Sequence, residues 1–166
     1  MMASQQWIVY SVCTPAQKAI SKIIIEASKP YTAEENGVLY ENYYDYLRQI
    51  YYKKIIQLVD YCKEVDLNPI IPDGAFYILC DISKIRIPDK YINEIDTEGN
   101  KLSNDWAFCM FLTCEIGVSA IPASAFYLRQ EMKYKAHNLI RLCACKFDST
   151  INEAGNRLKR LKDYHI

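Results

Sequence analysis

One arginine stands inside an otherwise apolar run, Asn138-Leu139-Ile140-Arg141-Leu142-Cys143-Ala144-Cys145. Strand-like alternation puts Arg141 on one face with Leu139, Cys143 and Cys145. A guanidinium does not shed its proton, so a covered face needs an anion beside it. Two readings follow from this segment. The arginine meets an internal carboxylate or lies on an exposed sheet face, or it grips the carboxylate of a ligand with both arms of its fork. Pro122-Ala123-Ser124-Ala125-Phe126-Tyr127 follows a short apolar stretch and places small residues and hydroxyls at a cleft edge, although turn chemistry accounts for it as well. The two histidines, His137 and His165, sit in no Ser/His/Asp or Cys/His arrangement, so nucleophilic catalysis finds no support.

The seven cysteines (13, 62, 80, 109, 114, 143, 145) form an odd set without a CxxC pair and lie within apolar segments. They read as reduced, buried thiols of a cytoplasmic protein, with no metal site expected. The Glu34-Glu35 pair and Glu41 with Asp45 read as surface charge. Twenty Lys+Arg balance twenty Asp+Glu, which argues against a nucleic-acid partner, whose binding draws on a basic excess. Hydrophobic residues at 51% and charged residues at 24% exclude a disordered tail. Five glycines, and neither GxGxxG nor GxxxxGK[ST], argue against a phosphate-cradling loop. The apolar runs are too short for a membrane span, and residues 1–7 have no signal-peptide pattern.

The elements that must position Arg141 follow from periodicity and punctuation. Thr14-Pro15 opens a helix through Ala16, Ala19, Ile20, Ile23 and Ala27, ending before Pro30. After the Asn36-Gly37 break, residues 39–65 read as one long helix with Leu39, Tyr43, Leu47, Ile50, Leu58, Cys62 and Val65 on one stripe. Its tyrosines read as surface packing. Residues 69–72 are extended, Asp73-Gly74 makes a turn that Gly74 permits, and 75–82 form a strand. Residues 83–102 read as an irregular surface loop. Ser103 caps a helix over 104–116, stopped by Gly117 in the left-handed region. Short strands at 118–122 and 138–146 follow, and Thr150 with Glu153 makes a capping box for a final helix burying Ile151, Ala154, Leu158 and Leu161. The order implies an α+β fold, one small sheet covered by helices.

Four segments together resemble class I/II, fold-type I pyridoxal-phosphate aminotransferases. They are Asp73-Gly74-Ala75-Phe76-Tyr77-Ile78, Asn104-Asp105-Trp106-Ala107-Phe108-Cys109, Gly117 through Tyr127, and Asn138 through Cys143 followed by Lys146. Val9-Tyr10-Ser11-Val12-Cys13-Thr14-Pro15-Ala16-Gln17 resembles the kynurenine aminotransferase and cysteine-conjugate β-lyase (glutamine transaminase K) branch. The resemblance covers about residues 7 to 162 and implies the C-terminal portion of such an enzyme. Residues 1–37 would close a large-domain strand and form the first linking helix. Residues 38–166 would form the small C-terminal domain, and the large cofactor domain would be absent.

Within that resemblance, Arg141 matches the arginine that binds the substrate α-carboxylate. Tyr10 stands where the family has an aromatic reaching the neighbouring subunit's site. No residue matches the Schiff-base lysine, so no catalytic or cofactor-binding residue is expected. Pyridoxal phosphate would belong to the complete enzyme and would not bind this chain. The complete enzyme would be a homodimer, cytoplasmic or mitochondrial, passing an amino group from kynurenine, glutamine or an aromatic or sulfur amino acid to a 2-oxo acid. The alternative is a non-catalytic binding or dimerisation module derived from that domain.

Overall fold

A computed structural model describes residues 13–95, 97 and 99–165. In chain order they form helix α1 (Thr14–Ala27), strands β1 (Tyr31–Thr32) and β2 (Leu39–Tyr40), and helix α2 (Tyr43–Lys63). Strands β3 (Asn68–Ile70) and β4 (Tyr77–Asp81), the single turn α3 (Asp89–Ile92) and helix α4 (Asn104–Phe111) come next. Strand β5 (Ile121–Pro122), strand β6 (Leu139–Cys143) and helix α5 (Asp148–Leu158) complete the order. Two compact units divide between Ile50 and Tyr51. No described helix is long and apolar enough to cross a membrane.

In the first unit, Asn36 and Gly37 (φ 67°) turn the chain so that β1 and β2 pair antiparallel, Tyr31 opposite Tyr40. Tyr31 packs its ring 5.0 Å from Tyr43 and 4.9 Å from Tyr46, and Tyr40 lies 5.2 Å from Tyr46. The Tyr46 hydroxyl donates to Glu35, which pushes the phenol up to about 12 and holds the Glu35 carboxyl below its ordinary value. Helix α1 buries none of its residues, so the 3–4 spacing of its apolar side chains forms an exposed stripe.

In the second unit, an antiparallel sheet runs in the order β3-β4-β6-β5. Alternation divides it cleanly. Ile78 and Cys80 of β4 and Ile140 and Leu142 of β6 join the core with Ile55, Leu58, Val59 and Cys62 of α2, Phe108 and Phe111 of α4, and Ile151 and Leu158 of α5. Burying a side chain such as Phe108 or Phe111 is worth roughly 1.5–3 kcal/mol. The other sheet face stays open and carries Ile70, Tyr77, Leu79, Ile121 and Arg141. Helix α4 continues into a wider turn at Leu112–Ile116, which Gly117 ends at φ 80°. The expected left-handed stop is therefore present.

Several local expectations are corrected. The long helix does not begin at Leu39: that residue is in β2 and 68% exposed. Asn42 Oδ1 accepts the Asp45 N–H at 2.9 Å, which caps α2 three residues later and frees the preceding chain to form a hairpin. Of the proposed stripe only Leu58, Cys62 and Val65 are buried; within α2 they are joined in the core by Ile55 and Val59. Thr150 is not a cap; its N–H already bonds Phe147 O at 3.0 Å, so it lies inside α5. Ser103 holds the N-cap position of α4 without a capping bond, since its hydroxyl donates to Asp105 instead.

The strained residue of the 73–75 turn is Ala75, at φ 63°, and Gly74 does not have a positive φ. The loop over 83–102 is not merely surface, for Ile85, Ile87 and Tyr91 are buried core residues. The seven cysteines are free, but Cys13, Cys114 and Cys145 are exposed, being placed at a helix entry, a wide turn and beyond a strand end.

Candidate functional site

Arg141 sits in the middle of β6, opposite Leu79 of β4 on one side and Ile121 of β5 on the other. Its neighbours in the strand, Ile140 and Leu142, point into the core and fix which way it faces. The guanidinium carbon lies 4.0 Å from the ring centroid of Tyr77 and 4.3 Å from that of Phe126. Both distances are within cation–π range. Arg141 is half-buried, and its Nε is sealed from water with no acceptor among the described residues. Among the described residues no carboxylate pairs with it. A buried donor left unpaired costs about 1–3 kcal/mol, set against the attraction of the two rings.

A second group supports the site from behind. Asp105, in the first turn of α4, is fully buried. Its Oδ1 accepts the Ser103 hydroxyl at 2.5 Å and its Oδ2 accepts the backbone N–H of Ser124 at 2.8 Å. Ser124 is itself buried in the tight turn Ala123–Phe126, which follows β5 and carries the Phe126 ring. The 122–127 segment thus forms the wall of the Arg141 site through its ring and its backbone. Tyr10 lies outside the described residues.

Sequence reasoning did not single out Tyr77 or Asp105 as part of a site. Tyr77 was accessible in principle, since β4 alternation places it two residues from the partner of Arg141. Asp105 carried the same signal as Arg141, a charge set beside an apolar run, here Trp106-Ala107-Phe108-Cys109.

Four of the described lysines are held against carboxylates and so are not set up to capture pyridoxal phosphate. An amine that is to capture the cofactor's aldehyde needs its pKa lowered. Instead Lys29, Lys54, Lys90 and Lys159 face Glu26, Asp148, Glu115 and Glu64. Glu115 pushes the Lys90 amine up. No group of three or more metal-ligating side chains is found among the described residues. What the site offers is a single oriented cation on an open apolar sheet face, suited to an anionic end of a small molecule.

Comparison with known proteins gives this geometry a context. The chain is 36% identical over 131 residues to the probable kynurenine–oxoglutarate transaminase BNA3 of Saccharomyces cerevisiae, which covers 78% of this chain and 28% of that protein. The crystal structure of Bna3p superposes with a TM-score of 0.66 at 35% identity, over 74% of this chain and 28% of that one. The kynurenine–oxoglutarate transaminase of Dictyostelium discoideum is 31% identical over 160 residues, 96% of this chain and 34% of its own. The Escherichia coli protein YbdL, described as having a methionine aminotransferase function, matches with a TM-score of 0.59 at 30% identity, over 93% and 32% of the two chains. No protein-family model matches the chain. The chain spans about a third of the length of these relatives. Through sequence and fold alike, it belongs to the fold-type I aminotransferases, its relatives being named as kynurenine–oxoglutarate transaminases and a methionine aminotransferase.

Proposed function

We propose that this chain supplies the carboxylate-gripping part of an aminotransferase, with Arg141 holding the α-carboxylate of an amino acid or the matching carboxylate of a 2-oxo acid. The observation that carries this reading is a guanidinium set against two rings on an open sheet face, without an internal carboxylate among the described residues. The substrate classes are drawn from relatives named for kynurenine, oxoglutarate and methionine. In this proposal the groups that hold pyridoxal phosphate are not among these residues. The cofactor supplies the amino-transfer chemistry, while Arg141 fixes one end of the substrate so that its α-carbon is presented in one orientation. The chain by itself would not catalyse the transfer.

The test is a titration of the 166-residue chain with 2-oxoglutarate and with L-kynurenine, followed by 1H–15N NMR, beside an Arg141→Ala variant. Saturable shifts centred on β4, β5 and β6 that vanish in the variant support the reading. Equal binding by both proteins, or oxo-acid formation by the chain with pyridoxal phosphate and amino acid, would overturn it.

The second reading, a dimerisation module, draws on the apolar side chains of the same sheet face, among them Ile70, Ile121 and Phe126, all exposed. A homodimer in sedimentation velocity, weakened by Ile121→Lys, would favour it. A strict monomer at all concentrations would exclude it.

A further inference from the structure

We propose that Phe126 and Asp105 are positioning residues for Arg141: the buried carboxylate anchors the turn whose ring, together with Tyr77, holds the guanidinium so that a ligand carboxylate meets it end-on at its two Nη groups. This rests on the reading of Arg141 as the carboxylate grip. The turn Ala123–Phe126 is fixed at both ends. On one side Pro122 sits in the sheet, in register with Ile140. On the other, Asp105 takes the Ser124 N–H at 2.8 Å, and the Ser103 hydroxyl occupies its second oxygen at 2.5 Å. The Tyr127 N–H closes the turn on Ser124 O at 3.1 Å. Phe126, two residues beyond the anchor, is thereby held with its ring 4.3 Å from the guanidinium carbon.

Tyr77 completes the frame from β4, 4.0 Å away, and its strand is fixed by the pairing of Leu79 with Arg141 itself. The consequence is directional. Nε is buried, with no acceptor among the described residues, so the edge that pairs Nε with one Nη is closed to a ligand. Two parallel N–H···O bonds can then form only through the terminal pair. An arginine on a flexible stem has several rotamers to lose on binding, and rings that hold it beforehand reduce that loss. Asp105 is fully buried, and its bond to the backbone N–H of Ser124 is the link by which it acts on the turn.

The experiment uses the 166-residue chain and two readouts. The first is the 15N heteronuclear NOE of the Arg141 Nε–H group, which reports side-chain order without any ligand. The second is the affinity for 2-oxoglutarate. Phe126→Leu should lower the NOE towards that of an exposed arginine and weaken 2-oxoglutarate binding about tenfold, while Phe126→Tyr should restore both. Because Phe126 is largely exposed, its replacement leaves the core intact, and an unchanged urea midpoint verifies this. Asp105→Asn should reduce the NOE in the same direction, and Tyr77→Leu provides an independent arm should the Asp105 variant not fold. An unaltered NOE and unaltered affinity in both Phe126→Leu and Tyr77→Leu would overturn the proposal. Loss of Arg141 order in Phe126→Leu with no effect of Arg141→Ala on binding would sustain the positioning and refute the carboxylate reading instead.

Discussion

The guanidinium carbon of Arg141 lies 4.0 Å from the ring of Tyr77, two strands of one sheet having brought together residues 64 positions apart. That contact holds a cation on a half-buried face where no described carboxylate answers it. Its consequences can be measured.

Arg141→Lys should weaken 2-oxoglutarate binding by the chain by roughly 10- to 100-fold, because an ammonium keeps the charge but not the planar, two-pronged donor. Arg141→Leu should abolish the binding yet leave the thermal midpoint unchanged or raised, since it removes a buried donor with no acceptor. Calorimetric melting of the two variants checks the pair; a large loss of stability in Arg141→Leu would contradict it.

Asp105→Ala should destabilise the second unit by about 2–3 kcal/mol in urea unfolding, since it strands the buried Ser124 N–H and the Ser103 hydroxyl together. Asp105→Asn, which keeps an acceptor for one of them, should cost less.

Gly155 is the one helical position where a methyl group has no room. A Cβ there would stand 2.4 Å from the Tyr61 ring, whose hydroxyl bonds Asn152 at 3.0 Å and so cannot swing freely. Gly155→Ala should therefore destabilise by about 1–3 kcal/mol, against the gain that alanine brings to an open helix. In the double variant with Tyr61→Ala the penalty of the alanine should disappear, which a double-mutant cycle reads directly.

Acid should weaken the contact between α3 and the turn after α4. Lys90 and Tyr91 both donate to Glu115 Oε1, the latter at 2.9 Å, and hold its carboxyl below the ordinary glutamate value of 4.5. A carboxyl lowered in the folded state contributes stability that is complete above its unfolded pKa and is lost as pH falls through the folded one. The melting temperature of the wild type should thus fall below about pH 4.5, and Glu115→Gln should flatten that part of the curve. Parallel curves for both proteins would contradict the assignment.

Thiol reactivity should divide by burial. Cys13, Cys114 and Cys145 are exposed and should react promptly with Ellman's reagent. Burial pushes Cys109 up to about 12, and the 3.8 Å contact with Cys62 together with burial raises Cys80, so both should react only on unfolding, as should the fully buried Cys62. Mass spectrometry of the labelled peptides assigns them.

Much of this molecule was legible from residue order. The Thr14–Ala27 helix, the β4 and β6 strands and the Gly117 stop follow from local periodicity and from one residue's backbone freedom. Arg141 stood out because a charge in an apolar alternating run has few explanations. The hairpin at β1 and β2 did not, since Leu39 and Tyr43 also fit a helical repeat and only the Asn42 cap and the tyrosine packing separate the two possibilities. Ala75 was hidden behind Gly74, because glycine's tolerance of a positive φ is not a requirement for it.

What the sequence determined by itself was the main helices and the β4 and β6 strands, the family and the presence of one cation inside an apolar strand. Those properties depend on neighbours within a few residues, or on residue patterns shared along the chain. Tertiary structure alone decided what surrounds that cation. The rings of Tyr77 and Phe126, the buried Asp105 beneath the turn and the missing acceptor at Nε come from four separate segments. Antiparallel register and side-chain packing bring such segments together, and neither leaves a local trace in the sequence.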